Sequence, residues 1–166
     1  MVILGIDPGV AIVGYGVVDY TGNRFKTIDY GAITTPAKTK LTSRIKTIYE
    51  ELRLLLYKYK PEVMAVEELF FNTNTTTAMA VAQARGVILL AATNEAVPVY
   101  EYTPLQIKQA VTGYGRADKQ QMQQMTKTLL GLASIPKPDD TADALAVAIC
   151  HGHSHGFGSI LGAENI

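Results

Sequence analysis

Three groups of acidic residues are the part of this sequence that could do chemistry. Asp7 closes the apolar run 2–6, Glu67 and Glu68 close the apolar run 63–66, and Asp140 and Asp143 stand three apart near the end of the chain. An ionised carboxylate at the end of a buried strand is costly unless something compensates it. Each group alone has an ordinary explanation. Asp7-Pro8-Gly9 is turn chemistry, a strand-end Glu is solvated, and Asp139 or Asp140 suits a helix N-cap with Asp143 in the first turn. That explanation is weakest for Asp143, which is set among Ala142, Ala144, Leu145, Val147 and Ala148. Brought together, four carboxylates would repel one another and raise their pKa values. Hard cations such as Mg²⁺ or Mn²⁺ remove that penalty. Two such ions about 3.5–4 Å apart hold the attacking and leaving oxygens of a phosphodiester displacement. The chemistry expected of the set is therefore metal-assisted phosphodiester hydrolysis.

The elements that must position these acids follow from pattern. Val2–Asp7 reads as a buried strand, Ile12–Tyr20 and Arg24–Thr34 as two more, and Thr21-Gly22-Asn23 as the turn of an antiparallel meander. Thr42–Tyr59 carries apolar residues at helical spacing and stops before Pro61. Val63–Val66 is a fourth strand, 75–96 a long helix and Pro98–Tyr102 a fifth strand. Pro104–Val111 is a short helix, Asp118 caps a helix to about Leu130, and a last helix runs from Asp139 to Cys150. The expected fold is α/β: a five-stranded mixed sheet, antiparallel meander plus parallel strands, with helices on both faces. In such a sheet ligands gather at the carboxyl ends of strands. Asp7 and a glutamate of the fourth strand can meet there, with Asp140 and Asp143 on one face of a helix beside them. Strand alternation lets only one of Glu67 and Glu68 point with Asp7, and the spacing leaves open which.

The motifs around these acids resemble one family. Ile-Leu-Gly-Ile-Asp-Pro-Gly at 3–9, Val-Glu-Glu-Leu-Phe-Phe at 66–71, Gln-Ala-Arg-Gly at 83–86 and Asp-Thr-Ala-Asp-Ala-Leu-Ala at 140–146 are similar, in order and spacing, to those of the RuvC Holliday-junction resolvases. The resemblance covers about residues 1–153. It implies a ribonuclease-H-like nuclease domain over 1–153, while the glycine-rich composition of 154–166 reads as a flexible tail. It also implies a homodimer, symmetric nicking of four-way junction DNA in recombination and repair, and 5′-phosphate and 3′-hydroxyl ends. It assigns catalysis and metal binding to Asp7, Glu67, Asp140 and Asp143, choosing Glu67 over Glu68. The cofactor implied is Mg²⁺, two ions per site, with Mn²⁺ able to substitute. The RuvA–RuvB branch-migration complex is a candidate partner.

The remaining signals bear on DNA. Lys108 and Lys119 flank the loop Gly113-Tyr114-Gly115-Arg116, a glycine-hinged edge able to contact phosphate. Solvated lysines are the commoner fate of such residues, and the resemblance favours phosphate contact, with Arg116 a fainter candidate. Phe70 precedes the polar stretch 72–77. It can fill the core or stack on an unpaired base, and the resemblance associates its position with the junction centre. Formal net charge is zero, which argues against a general DNA coat, yet residues 24–60 hold nine of the fifteen Lys and Arg. The helix 75–96 is apolar on more than one face, which suits a core face plus a dimer face. His151, His153 and His155 alternate in what reads as a glycine-rich tail.

The single cysteine, Cys150, excludes an intrachain disulfide framework. The opening residues lack the basic n-region of a signal peptide, and no run is apolar for the roughly 18 residues of a membrane span. A cytoplasmic protein is expected. Three rival readings remain. An actin-like ATPase or sugar kinase also opens on a Gly-Ile-Asp-x-Gly strand, but it needs two such domains and a second glycine-rich phosphate loop. A non-catalytic junction-binding module has no use for the full acid set. Another ribonuclease-H-like nuclease is the nearest alternative.

Overall fold

The computed structural model describes residues 1–69, 75–156 and 164–165. The apolar runs become strands where expected. β1 (Val2–Asp7), β2 (Ile12–Thr21) and β3 (Arg24–Thr34) form the antiparallel meander. After α1 (Leu41–Tyr59), β4 (Val63–Glu67) returns parallel to β1. α2 (Thr75–Asn94) leads to β5 (Val99–Tyr102), parallel to β4. α3 (Pro104–Thr112), α4 (Lys119–Leu129) and α5 (Asp139–Gly156) follow. The sheet order is β3-β2-β1-β4-β5-β6. β6 is the two-residue strand Glu164–Asn165, antiparallel to β5 at the sheet edge. Two residues carry no periodicity, so this strand was invisible in the sequence.

Side-chain alternation along the strands builds two cores. Leu4, Ile6, Val13, Val17, Met64 and Val66 face α1 and α2, meeting Ile48, Leu52 and Ile88. Ile3, Val18, Val63 and Ala65 face α5, meeting Leu145, Ala148 and Ile149. α5 lies unusually close to the sheet because glycines line its track. A Cβ at Gly14 would overlap the Asp140 carbonyl, and one at Gly5 would overlap the Ala144 carbonyl. Thr141, fully buried, donates its hydroxyl to the Gly31 carbonyl at 3.1 Å and ties the start of α5 to β3. We expect Gly14→Ala to push α5 away and to cost roughly 1–3 kcal/mol, as overpacking does. The melting temperature should fall accordingly. Unchanged melting would mean that α5 has room to move.

The last helix corrects two expectations. It runs past Cys150 to Gly156, so its last turns carry His151, His153 and His155, which the sequence reading put in a tail. The turn is buried by residues distant in sequence. Phe25 and Tyr20 of the β2–β3 hairpin pack against Gly152, and the Phe25 ring meets His153 edge-on at 5.1 Å. His151 is 2% exposed, bonds the Tyr102 hydroxyl through Nδ1 at 2.8 Å, and has its pKa pushed down to about 4 by burial and by His155. The 154–166 segment thus adds, at its described ends, helix at 154–156 and a sheet edge at 164–165. Among the described residues, no helix is long and apolar enough to cross a membrane.

Candidate active site

β1 and β4 are parallel neighbours, with Ile6 paired to Val66, so Asp7 and Glu67 leave the sheet side by side. Their face is decided by alternation. Ile3 and Gly5 of β1, and Val63 and Ala65 of β4, face α5, and so therefore do Asp7 and Glu67. Glu68 turns to the other face, where it stands with Arg85 and Glu101 in a separate hollow below α2. The choice the sequence spacing left open falls to Glu67.

α5 supplies the rest. Asp140 is its second residue, with its carbonyl against Gly14, which is the β2 partner of Asp7. Asp143 lies one turn on, half-buried in a stretch that is otherwise buried from Thr141 to Cys150. A cleft of about 210 Å³ opens between these elements, lined by Glu67, Asp143, Lys108, Lys119, Met122 and Ala146 among others. Lys108 comes from α3, which Thr103 and Gln106 cap reciprocally. Lys119 is the first residue of α4, capped in the same way by Asp118 and Gln121. The short capped helices fix both cations at the mouth of the cleft.

The electrostatics are those of crowded like charges. Burial, then Glu67, Asp143 and Asp140, push the Asp7 carboxyl up to about 8, against the pull of Lys119. Burial and Asp143 push Glu67 up to about 7, against Lys108. Burial also raises Asp143. Lys119 stands in as a counterion, its ammonium 3.1 Å from Asp139 and 3.7 Å from Asp143. Asp139, weighed only as a helix cap in the sequence, holds Lys119 and also Lys137, at 2.6 Å, and is drawn down to about 2 by them. No sequence signal linked Asp139 to a lysine twenty residues upstream.

Among the described residues, no three His, Cys, Asp or Glu side chains converge closely enough to share one ion as they are placed. The donor chemistry fits a hard divalent cation, since hard oxygens are all that these four side chains offer. The predicted DNA contacts divide. Lys108 and Lys119 line the cleft, whereas Arg116 is exposed on the α3–α4 loop and does not. Phe70 lies outside the described residues.

Known proteins are similar to this chain over nearly its whole length. The crossover junction endodeoxyribonuclease RuvC of Alkaliphilus oremlandii (strain OhILAs) is 62% identical over 157 residues, which cover 95% of this chain and 96% of that protein. Its counterpart in Clostridioides difficile (strain 630) is 57% identical over 155 residues, 93% of this chain and 92% of that one. Among solved structures, T. thermophilus RuvC in complex with Holliday junction substrate matches with a TM-score of 0.90 at 34% identity, covering 100% of both chains. The fold is thus the ribonuclease-H-like one expected. The family of crossover junction endodeoxyribonucleases RuvC matches residues 3–151, and so runs through β1, β4 and α5, the elements that carry all four acids. By that match, and by the identity of its relatives over nearly the whole length, the chain belongs to the RuvC family of metal-dependent crossover junction endodeoxyribonucleases.

Proposed function

We propose that the protein is a Holliday-junction resolvase whose nuclease centre is Asp7, Glu67, Asp140 and Asp143. One observation carries this reading. Asp7 and Glu67 end adjacent parallel strands on the face that α5 covers, and Glu67 shares a cleft with Asp143 of α5, Lys108 and Lys119. The four acids would hold divalent cations, two Mg²⁺ with Mn²⁺ as a substitute. Bound there, such ions supply Lewis acidity to the attacking water and to the phosphate oxygens. The chain's own residues do the rest. Half-buried Asp7 and Glu67 place their carboxylates side by side at the ends of β1 and β4, where the reacting phosphate would sit. Lys108 and Lys119 bind its oxygens and orient the strand for in-line attack, leaving 5′-phosphate and 3′-hydroxyl ends. In the DNA-free protein Lys119 pairs with Asp139 and Asp143, so phosphate and cation binding must redistribute that contact. The substrate reading is supported by the relatives' activity and by the junction bound to the T. thermophilus protein. The protein would act in the cytoplasm, where the DNA is, with the RuvA–RuvB complex as a candidate partner.

The deciding experiment incubates the protein with labelled four-way junction, Y-fork and linear duplex, with and without Mg²⁺. Paired nicks in the junction alone, and only with the ion, are expected. Equal cutting of all three would point to another ribonuclease-H-like nuclease. Lys108→Ala and Lys119→Ala should each slow cleavage roughly tenfold to a hundredfold, the worth of a charged hydrogen bond. Melting should hold, since both side chains stand at the cleft mouth. Wild-type rates would return them to solvated lysines.

Symmetric nicking needs two centres, and we read α2 as the dimer element. Ala84, Ile88, Ala91 and Ala92 face the sheet, while Met79 and Leu90 stay 69% and 52% exposed on the outer side. Leu90→Glu should shift the protein from dimer to monomer in sedimentation at micromolar concentration. A wild type already monomeric there would end the dimer proposal.

A further inference from the structure

The basic residues of 24–60 are not used by the site described so far, and the structure sorts them. Lys46, Arg53 and Lys58 pair with Glu50, Glu95 and Asp29. Arg24, Lys26 and Lys60 sit at the far end, on the β2–β3 turn and at the end of α1. Lys38, Lys40 and Arg44 remain, on the segment that leads from the carboxyl end of β3 into α1. Among the described residues they form no ion pair.

Their location is fixed by strand direction. β3 is antiparallel to β2, and β2 to β1, so β3 runs with β1, β4 and β5. Its end therefore opens on the same edge as Asp7 and Glu67. Thr35 binds the β1–β2 turn directly. Its amide donates to the Ala11 carbonyl at 2.9 Å, and its hydroxyl donates to the Val10 carbonyl at 2.5 Å. Arg44 then donates from Nε to the Thr35 hydroxyl at 2.8 Å. That one bond anchors the guanidinium while leaving its terminal nitrogens unbonded among the described residues. Asp7 pairs with Gly14 and Gly14 with Ala32, so Asp7 and β3 are two strands apart. Strand spacing and rise put Thr35 about 10–15 Å from Asp7. That gap is on the order of a few phosphates along one DNA strand.

We propose that Lys38, Lys40 and Arg44 form a second phosphate-binding edge, gripping the DNA backbone on the β3 side of the acids, opposite Lys108 and Lys119. The inference rests on the nuclease reading and extends it. A strand held only on the β5 side is free to pivot about the reacting phosphate. Cations on both sides fix its direction across the carboxylates, and an arginine held through Nε still offers its outer nitrogens to a phosphate.

The test measures junction binding as a function of salt in an Asp7→Asn background, where cleavage does not interfere. The test protein carries Lys38→Gln, Lys40→Gln and Arg44→Gln. A charge-matched control carries Arg24→Gln, Lys26→Gln and Lys60→Gln. Each lost phosphate contact flattens the plot of log affinity against log salt by about 0.9, so a loss of roughly 2–3 in slope is expected for the first triple. Affinity near 0.1 M salt should fall roughly tenfold to a hundredfold. The control triple should keep the parent slope, and melting should match in all three proteins. Equal slopes in both triples would overturn the second edge, because net charge rather than place would then be what matters. If the wild type binds and cuts junctions and the first triple keeps its slope, this inference alone fails. A wild type that neither binds nor cuts them removes the nuclease reading and this edge with it.

Discussion

Asp7→Asn, Glu67→Gln, Asp140→Asn and Asp143→Asn are each expected to abolish junction cleavage, or to cut it by at least a factor on the order of 10²–10³, while junction binding persists. Binding is carried by phosphate contacts and junction shape, and the chemistry by positioned charge, so the two should separate. Each amide keeps the shape of the side chain and removes one negative charge from the ion site. A structural role predicts the reverse for Asp140, where loss of a first-turn acid would lower stability and spare activity. Glu68→Gln is the internal control. Glu68 lies on the opposite face of the sheet, with Arg85 and Glu101, and should cut at close to the wild-type rate. An inactive Glu68→Gln beside an active Glu67→Gln would place the centre on the wrong side of the sheet. Four variants that all cut normally would end the nuclease proposal.

Much of this arrangement is legible in the sequence because strands announce themselves locally. β1 and β3 occupy the expected ranges, and β2, β4 and β5 differ by a single residue at one end. Once β1 and β4 are neighbours, their last residues must be neighbours too. What stays hidden depends on contacts between residues distant in the chain. The face of Glu67 is set by which side of β4 α5 covers, and period-two alternation alone is symmetric between Glu67 and Glu68. The last turns of α5 carry glycine and histidine with no apolar stripe, and rings distant in sequence, Tyr20, Phe25, Tyr100 and Tyr102, pack against them. The Lys119–Asp139 pair joins the start of α4 to the start of α5, and no local pattern reports it. Gly5 and Gly14 read as ordinary strand glycines until a helix lies across them.

The crowded carboxylates should also make the metal-free protein less stable as pH rises, the opposite of the usual effect of salt-bridged acids. Asp7 is raised from 3.8 to about 8, and Glu67 from 4.5 to about 7. A raised acid contributes stability that is fully present below its unfolded pKa and is lost as pH climbs through its folded one. Two other strongly shifted groups act at lower pH. Buried His151, held down at about 4 against 6.5, costs stability only as pH falls below about 6.5, and Asp139, at about 2, acts only in strong acid. From about pH 6.5 to 8.5 the largest linked loss is therefore expected from Asp7 and Glu67. Within it Asp7 alone should cost about 1.4 kcal/mol per pH unit until it ionises, roughly 2 kcal/mol in all. For a domain of this size that is a fall of roughly 4–8 °C in Tm. Asp7→Asn should flatten the profile and melt above the wild type at pH 8.5 without metal. A divalent ion bound at a hundred times its Kd would return about 2.7 kcal/mol to the wild type. Mg²⁺ should therefore raise the wild-type Tm more at pH 8.5 than at pH 6.5, where protons compete for the same oxygens, and should raise Asp7→Asn less at either. Melting curves in EDTA and in Mg²⁺, at three pH values in this window, read all of these at once. A wild-type Tm that is flat in EDTA would mean that Asp7 and Glu67 are already charge-compensated without a metal. A Mg²⁺ response that Asp7→Asn leaves unchanged would put the ion site elsewhere.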